Sequence, residues 1–356
     1  MASTSAPGNP RWVNRPEGST WGDFGPDDQL GRLNLVNAEK VRQGVAEVRE
    51  GKTFCLSLPL DYPGGNSLNP RRHPPRLRPT QQEGVPRWMF EVGRSEPDAT
   101  DVINDDVAVI HLQYSTQWDS FAHVGSLFDA NGDGRPEPVF YNGYRAGVEL
   151  PREEGSGEAM RSGVKSLGIE NFAAHGIQGR GVLIDLRAHF GDDRTLVGYD
   201  RLRQVMEADK VVVEPGDMVL LHTGFATRLL EWGGKPDPVL VHTACAALDG
   251  RDPALLQWIT DSGLAALIAD NYAVEHHGGA KPAGPCATLP LHEHCLFKLG
   301  VPLGEIWYLA ELAQWLREHK RSRFLLTAPP LRLPGRRPGA PHQPLAAGRR
   351  TPAAAR

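Results

Sequence analysis

The chain has 356 residues, 23% of them charged and 40% apolar or aromatic, with a net charge of -4. That balance fits a globular protein with ample core and leaves no basic footprint for nucleic acid and no case for a membrane surface. Cys55, Cys245, Cys286 and Cys295 show no CxxC spacing, so the expectation is reduced, buried thiols in a cytoplasm rather than a zinc knuckle or a disulfide framework.

Residues 1–16 are small, polar and Pro-rich, without the basic-then-apolar order of a signal peptide, and read as a flexible arm. Val41, Val45 and Val48 recur at helical spacing before Gly51, which predicts a helix over 41–49. Residues 53–60 alternate and read as a strand. Residues 61–100, crowded with Pro, Gly and Arg, read as a long loop that wraps the surface or another subunit. An apolar run at 107–110 predicts a strand that continues into the polar stretch ending at His123. Asp129-Ala-Asn-Gly-Asp-Gly134 has the oxygen spacing of half a calcium loop, but Phe140 stands where a bidentate Glu is needed, so an Asn/Asp/Gly turn is the better reading.

Further on, helices are expected at 166–176, 199–208, 253–262, 292–299 and 309–318. Strands are expected at 181–186, at 264–269, at 303–306, and after the turn Pro215-Gly216, ending at Thr223-Gly224. The run at 264–269 is far too short to span a bilayer. No GxGxxG and no P-loop is present. The Pro/Arg-rich stretch 331–356, which has no acidic residue, is expected to be disordered.

Gln113-Tyr-Ser-Thr-Gln117-Trp-Asp119-Ser-Phe-Ala-His123 is the most informative stretch. Side chains on a strand alternate faces with period two, so an unbroken strand would project His111, Gln113, Gln117, Asp119 and His123 together. Five groups able to bind a metal or move a proton would then share one surface.

These residues, with the later blocks Gly179–Asp185, Pro215–Asp217, His222–Gly224, Asp270–Glu275 and Pro290–His292 through Glu305, resemble the cyclase family that includes kynurenine formamidases and isatin hydrolases. The family signature His-x-Gly-Thr-His-x-Asp-x-Pro-x-His falls on Gln113–His123 without a gap. Thr116, Asp119 and His123 match, whereas Gln113, Ser115, Gln117 and Phe121 replace His, Gly, His and Pro. The resemblance implies one catalytic α/β domain over 17–330, a mixed sheet or flattened barrel with peripheral helices, in a homo-oligomer. It also implies a divalent metal on Gln113, Gln117, Asp119, His292 and Glu305, with His123 moving protons. Two amide oxygens in place of imidazoles weaken the case for zinc relative to manganese. Alternatively, the two glutamines bind a substrate carbonyl directly, with no metal.

The implied activity is arylformamidase-like hydrolysis of an amide, formamide or cyclic amide. Ring closure on a β-keto or polyketide-like substrate, or a non-catalytic binding role, are the other readings. Trp118, Phe121 and His222 are candidates to contact an aromatic small-molecule substrate, although packing beneath the sheet is the commoner fate of a strand Trp.

Overall fold

The computed structural model describes residues 11–151, 166–278 and 281–333, so most of the expected arm and nearly all of the expected tail lie outside the described residues. Its centre is one six-stranded mixed sheet: β1 (Gln117–Asp119), β2 (Gln178–Asp185), β3 (Met218–His222), β4 (Ala266–Ala269), β5 (Leu303–Glu305) and β6 (Arg323–Thr327). The order across the sheet is β6-β2-β3-β4-β5-β1, with β2 to β5 parallel and the two outer strands antiparallel to their neighbours. Strands β3 and β4 are buried at every position, as expected of continuous apolar runs covered on both faces. Lying flat, six strands would hold the outer two roughly 24 Å apart. Instead the Trp118 indole N–H of β1 donates to the Ala328 carbonyl, just past β6, at 2.9 Å. The sheet is therefore curled, and its two edges meet.

Helices α1 (Ala38–Ala46), α2 (Tyr199–Ala208), α3 (Pro253–Ser262) and α4 (Ala310–Glu318) pack around this sheet. Asn37 caps α1 by accepting from the Glu39 and Lys40 amides, and Lys40 then reaches Asp217 at 2.9 Å, beside the start of β3. Asp252 and Pro253 start α3, and Gly263 ends it at φ +66°, a left-handed cap that glycine adopts without strain.

Several expectations need correction. The strand leading to His123 is broken: Asp106–Val109 pairs with Arg76–Pro79 outside the main sheet, and β1 begins only at Gln117. Period-two parity therefore holds for Gln117 and Asp119 but not across the turns between, and His111 is exposed against His73. Residues 61–100 are not one loop, because short hairpin ladders form at 76–109, 81–86 and 90–103. No strand forms at 53–60; one bridge joins Ser57 to Trp307. Two thiols, Cys55 and Cys286, are exposed rather than buried. The Asp129 carboxylate accepts from the Gly132, Asp133 and Gly134 amides, which makes that segment the turn it was expected to be.

Candidate metal centre

The register of the edge strand builds the centre. Glu305 stands opposite Gln117 and Leu303 opposite Asp119, so the two carboxylates and the amide share one face of the β5–β1 ladder. Gln117 Nε2 donates to Glu305 Oε2 at 2.9 Å and lies 3.4 Å from Asp119 Oδ1. His292, at the end of the short helix Pro290–His292, adds an imidazole whose Nε2 is 3.1 Å from Glu305 Oε1 and 3.9 Å from Asp119 Oδ2. All three residues are buried, and one ligand atom from each lies within 4.8 Å of the others. Gln117 Oε1 and Asp119 Oδ2 are buried without a hydrogen-bond partner.

The charges of the centre are interdependent. Burial, followed by the charge of Glu305, pushes the Asp119 carboxyl well above the usual carboxylate range. Burial is the largest single influence on Glu305 and would raise it, but the hydrogen bond and charge of His292, with His123 and Arg72, together outweigh it and hold Glu305 below its ordinary value. Burial would lower His292, yet Glu275, Glu305 and Asp119 together push it up to about 10. The cluster without an ion therefore keeps a proton on His292 as its internal counter-charge.

Glu275 is the residue sequence reasoning missed. Its Oε1 accepts from both the His292 amide, at 3.0 Å, and Nδ1, at 2.8 Å, while Oε2 accepts from the Leu291 amide at 3.1 Å. A carboxylate on Nδ1 fixes the tautomer and aims Nε2 at the centre, the usual support of a metal-binding histidine. Ala273 and Val274, just before it, both have positive φ (72° and 56°), as does Ile306 (55°), just after Glu305. β-branched residues rarely adopt that conformation, and here it flanks both carboxylates that bond His292. The signal was available in the block Asp270–Glu275, whose last residue is this carboxylate.

His123 lies 3.8 Å from Asp119 Oδ1, with 28% of its side chain exposed to a cavity of about 1150 Å3. Burial is the main cause of its low pKa, about 4, opposed by Glu305. Gln113 lines the same cavity, and its backbone carbonyl accepts from Arg72 at 2.7 Å. Among the described residues no hydrogen bond joins the Gln113 side chain to the carboxylates. Arg72, from the Pro/Arg-rich segment, also favours the ionised forms of Asp119 and Glu305.

Of the remaining candidates, the structure brings Trp118 to the cavity but not Phe121 or His222. Phe121 is fully buried against Tyr141 and Phe172, a core residue rather than a substrate contact. His222 is buried against Asp185, away from the cavity lining. Trp118 does line the cavity, with its ring edge-on to Trp307. His294, two positions on from His292, is buried and bonds Thr260 rather than the centre.

A family described as "Cyclase: Putative cyclase" matches residues 55–276. The chain belongs to this cyclase family. A crystal structure of a novel cyclase is similar at 29% identity, with 89% of this chain and 93% of that chain covered and a TM-score of 0.66. Isatin hydrolase A from Labrenzia aggregata, bound to benzyl benzoate, matches at 13% identity over 82% and 93% of the two chains, with a TM-score of 0.48. Isatin hydrolase A from Ralstonia solanacearum matches at 15% over 83% and 90%, with a TM-score of 0.46. No curated protein matches the chain. Among the described residues, no helix is long and apolar enough to cross a membrane. The fold is that of the cyclase family, and Asp119, His292 and Glu305 form a candidate metal-binding site within it.

Proposed function

We propose that this protein is a metal-dependent hydrolase of an amide, formamide or cyclic amide, with His123 as general acid and base. The convergence of Asp119, His292 and Glu305 beside the cavity that His123 lines is the observation that carries this reading. The residues fit a divalent ion. Asp119 Oδ2 and Gln117 Oε1 are buried with no donor, and each such orphan costs about 1–3 kcal/mol unless something polar or charged satisfies it. Asp119, His292 and Glu305 would hold the ion, with the Gln117 and Gln113 carbonyls as neutral oxygens completing the set. Two carboxylates, amide oxygens and a single nitrogen suit manganese at least as well as zinc. Such an ion supplies polarisation of a carbonyl and acidification of water.

The chain supplies the rest. His123 is uncharged near neutrality, so it accepts the proton of an attacking water and returns it to the leaving nitrogen. Asp119, 3.8 Å away, orients the ring, and Glu275 holds His292 in place. The exposed apolar side chains Leu77, Trp88, Met89 and Val109 on the hairpins support a homo-oligomer, which light scattering would test.

Elemental analysis of protein purified without added metal, paired with mass analysis of products from formamide substrates, tests the reading. One divalent ion per chain is expected, with each formamide split into its amine and formate, the two together heavier than the substrate by one water. A metal-free protein with no turnover ends it. The second reading, ring closure on a β-keto substrate, is favoured by the amide-rich centre, because a weaker Lewis acid activates water poorly. It predicts a product that has lost water.

A further inference from the structure

The cavity beside the metal centre is far larger than the reaction requires. A single benzene ring fills a dry cavity of roughly 150 Å3, whereas this one is about 1150 Å3 and exceeds the usual range for drug-sized ligands. A one-ring formamide would leave most of that space as water against apolar walls.

The walls say what belongs there. Trp118 and Trp307 stand edge to face at 5.0 Å next to Gln117, and Phe54 continues the wall with Trp315 at 5.8 Å. The indole N–H of Trp118 is already given to the Ala328 carbonyl, and that of Trp307 to the Gln117 carbonyl at 3.0 Å. Both rings therefore offer π-surface and no free donor. Part of the charged lining is engaged as well: Arg321 pairs with Glu47 at 3.2 Å, Glu50 lies 3.7 Å from His319, and Lys52 lies over the Phe54 ring. Beyond the centre, these walls reward aromatic area rather than hydrogen-bonding groups.

We infer that the substrate carries a fused-ring aromatic body beyond the carbonyl it presents to the metal centre, with Phe54, Trp118 and Trp307 as the specificity-determining wall. The inference rests on the hydrolase reading for where the carbonyl sits, but not for whether the body binds. The occupant is continuous with the centre because His123 and Gln117 line the same space.

The test is a ladder of three amides on the full-length, metal-loaded protein: formanilide, N-formyl-2-naphthylamine and N-formyl-2-aminoanthracene, with N-formyldecylamine as an apolar chain without rings. Equilibrium dialysis gives Kd and product formation gives kcat/KM. Kd should fall at least tenfold from one ring to three, and the three-ring amide should bind more tightly than the decyl chain. Phe54→Ala should shrink the three-ring to one-ring ratio to less than threefold. Leu60→Trp, placed at an exposed lining position to narrow the space without disturbing the core, should do the same if Phe54→Ala does not fold.

A flat ladder overturns the inference, whether because water or a second copy of the chain fills the groove. Tighter binding of the decyl chain overturns its aromatic part. A steep Kd ladder with no turnover leaves the inference standing and removes the hydrolase reading instead.

Discussion

Two buried histidines in this fold have the same immediate environment and different fates. His222, at the end of β3, and His292 each present Nδ1 to a carboxylate oxygen at 2.8 Å, Asp185 in one case and Glu275 in the other. Each also has a second carboxylate near Nε2, with Asp270 4.0 Å from His222. Around His222 the carboxylates are already committed. Asp270 accepts from Thr223 N, Thr223 Oγ1 and Gly224 N, and Asp185 from Ala188 N and the Arg317 guanidinium. In this group it is His222 Nε2 that lacks a hydrogen bond, 4.0 Å from Asp270. Around His292 the opposite holds, since Asp119 Oδ2 and Gln117 Oε1 are unclaimed and a cavity lies alongside. A His–carboxylate pair by itself marks neither structure nor chemistry. Spare acceptors and an open approach mark the chemistry.

The sharpest break is His292→Ala, which should remove the bound divalent ion altogether in elemental analysis, whereas His222→Ala should leave the ion in place. Next, His123→Gln should cut turnover by about 10²- to 10⁴-fold, with metal content and melting temperature retained. Unaltered turnover would dismiss the proton-transfer role. Glu275→Gln should weaken metal affinity by about 10- to 100-fold in a chelator competition, because Nδ1 loses its charged partner and the Leu291 amide meets an NH2 instead of an acceptor.

Because His292 carries a proton up to about pH 10 when no ion is bound, metal must displace that proton. Apparent affinity should therefore fall by about tenfold for each unit the pH is lowered between 9 and 7. Calorimetry in buffers of different ionisation enthalpy should count the released proton. The smallest effect on the centre is expected from Asp185→Asn. Metal affinity should not move, while stability in urea falls by about 1–3 kcal/mol as a buried pair loses its charge.

Much of the scaffold was readable from apolar runs and punctuation. The helices at 199–208 and 253–262 have the expected bounds, because Gly198, Pro253 and Gly263 mark their ends and apolar spacing fills them. The helix Phe225–Glu231 and strand β6 were missed. The first follows Gly224 without a side-chain cap, and the second finds its place only by pairing with β2, a contact no local pattern records. The centre itself was legible only through the ordered blocks of the family. Gln117 and Glu305 are 188 positions apart, and nothing in the spacing announces that a ladder will set them opposite. Phe121 was misread because an aromatic beside a motif looks like a contact, when its neighbours Tyr141 and Phe172 are also far away in sequence.

The outermost strand of the sheet, β1, is three residues long and is joined to its neighbour over three residue pairs. Slipping it by one position would turn Asp119 outward and bring Trp118 under His292. An ion gripped by Asp119 on one side of this seam and by Glu305 on the other acts as a rivet across it. Loading the protein should then slow amide hydrogen exchange at Gln117–Asp119 well before it changes exchange in β3 or β4. The reaction centre and the fastening of the sheet's edge would be one and the same bond set.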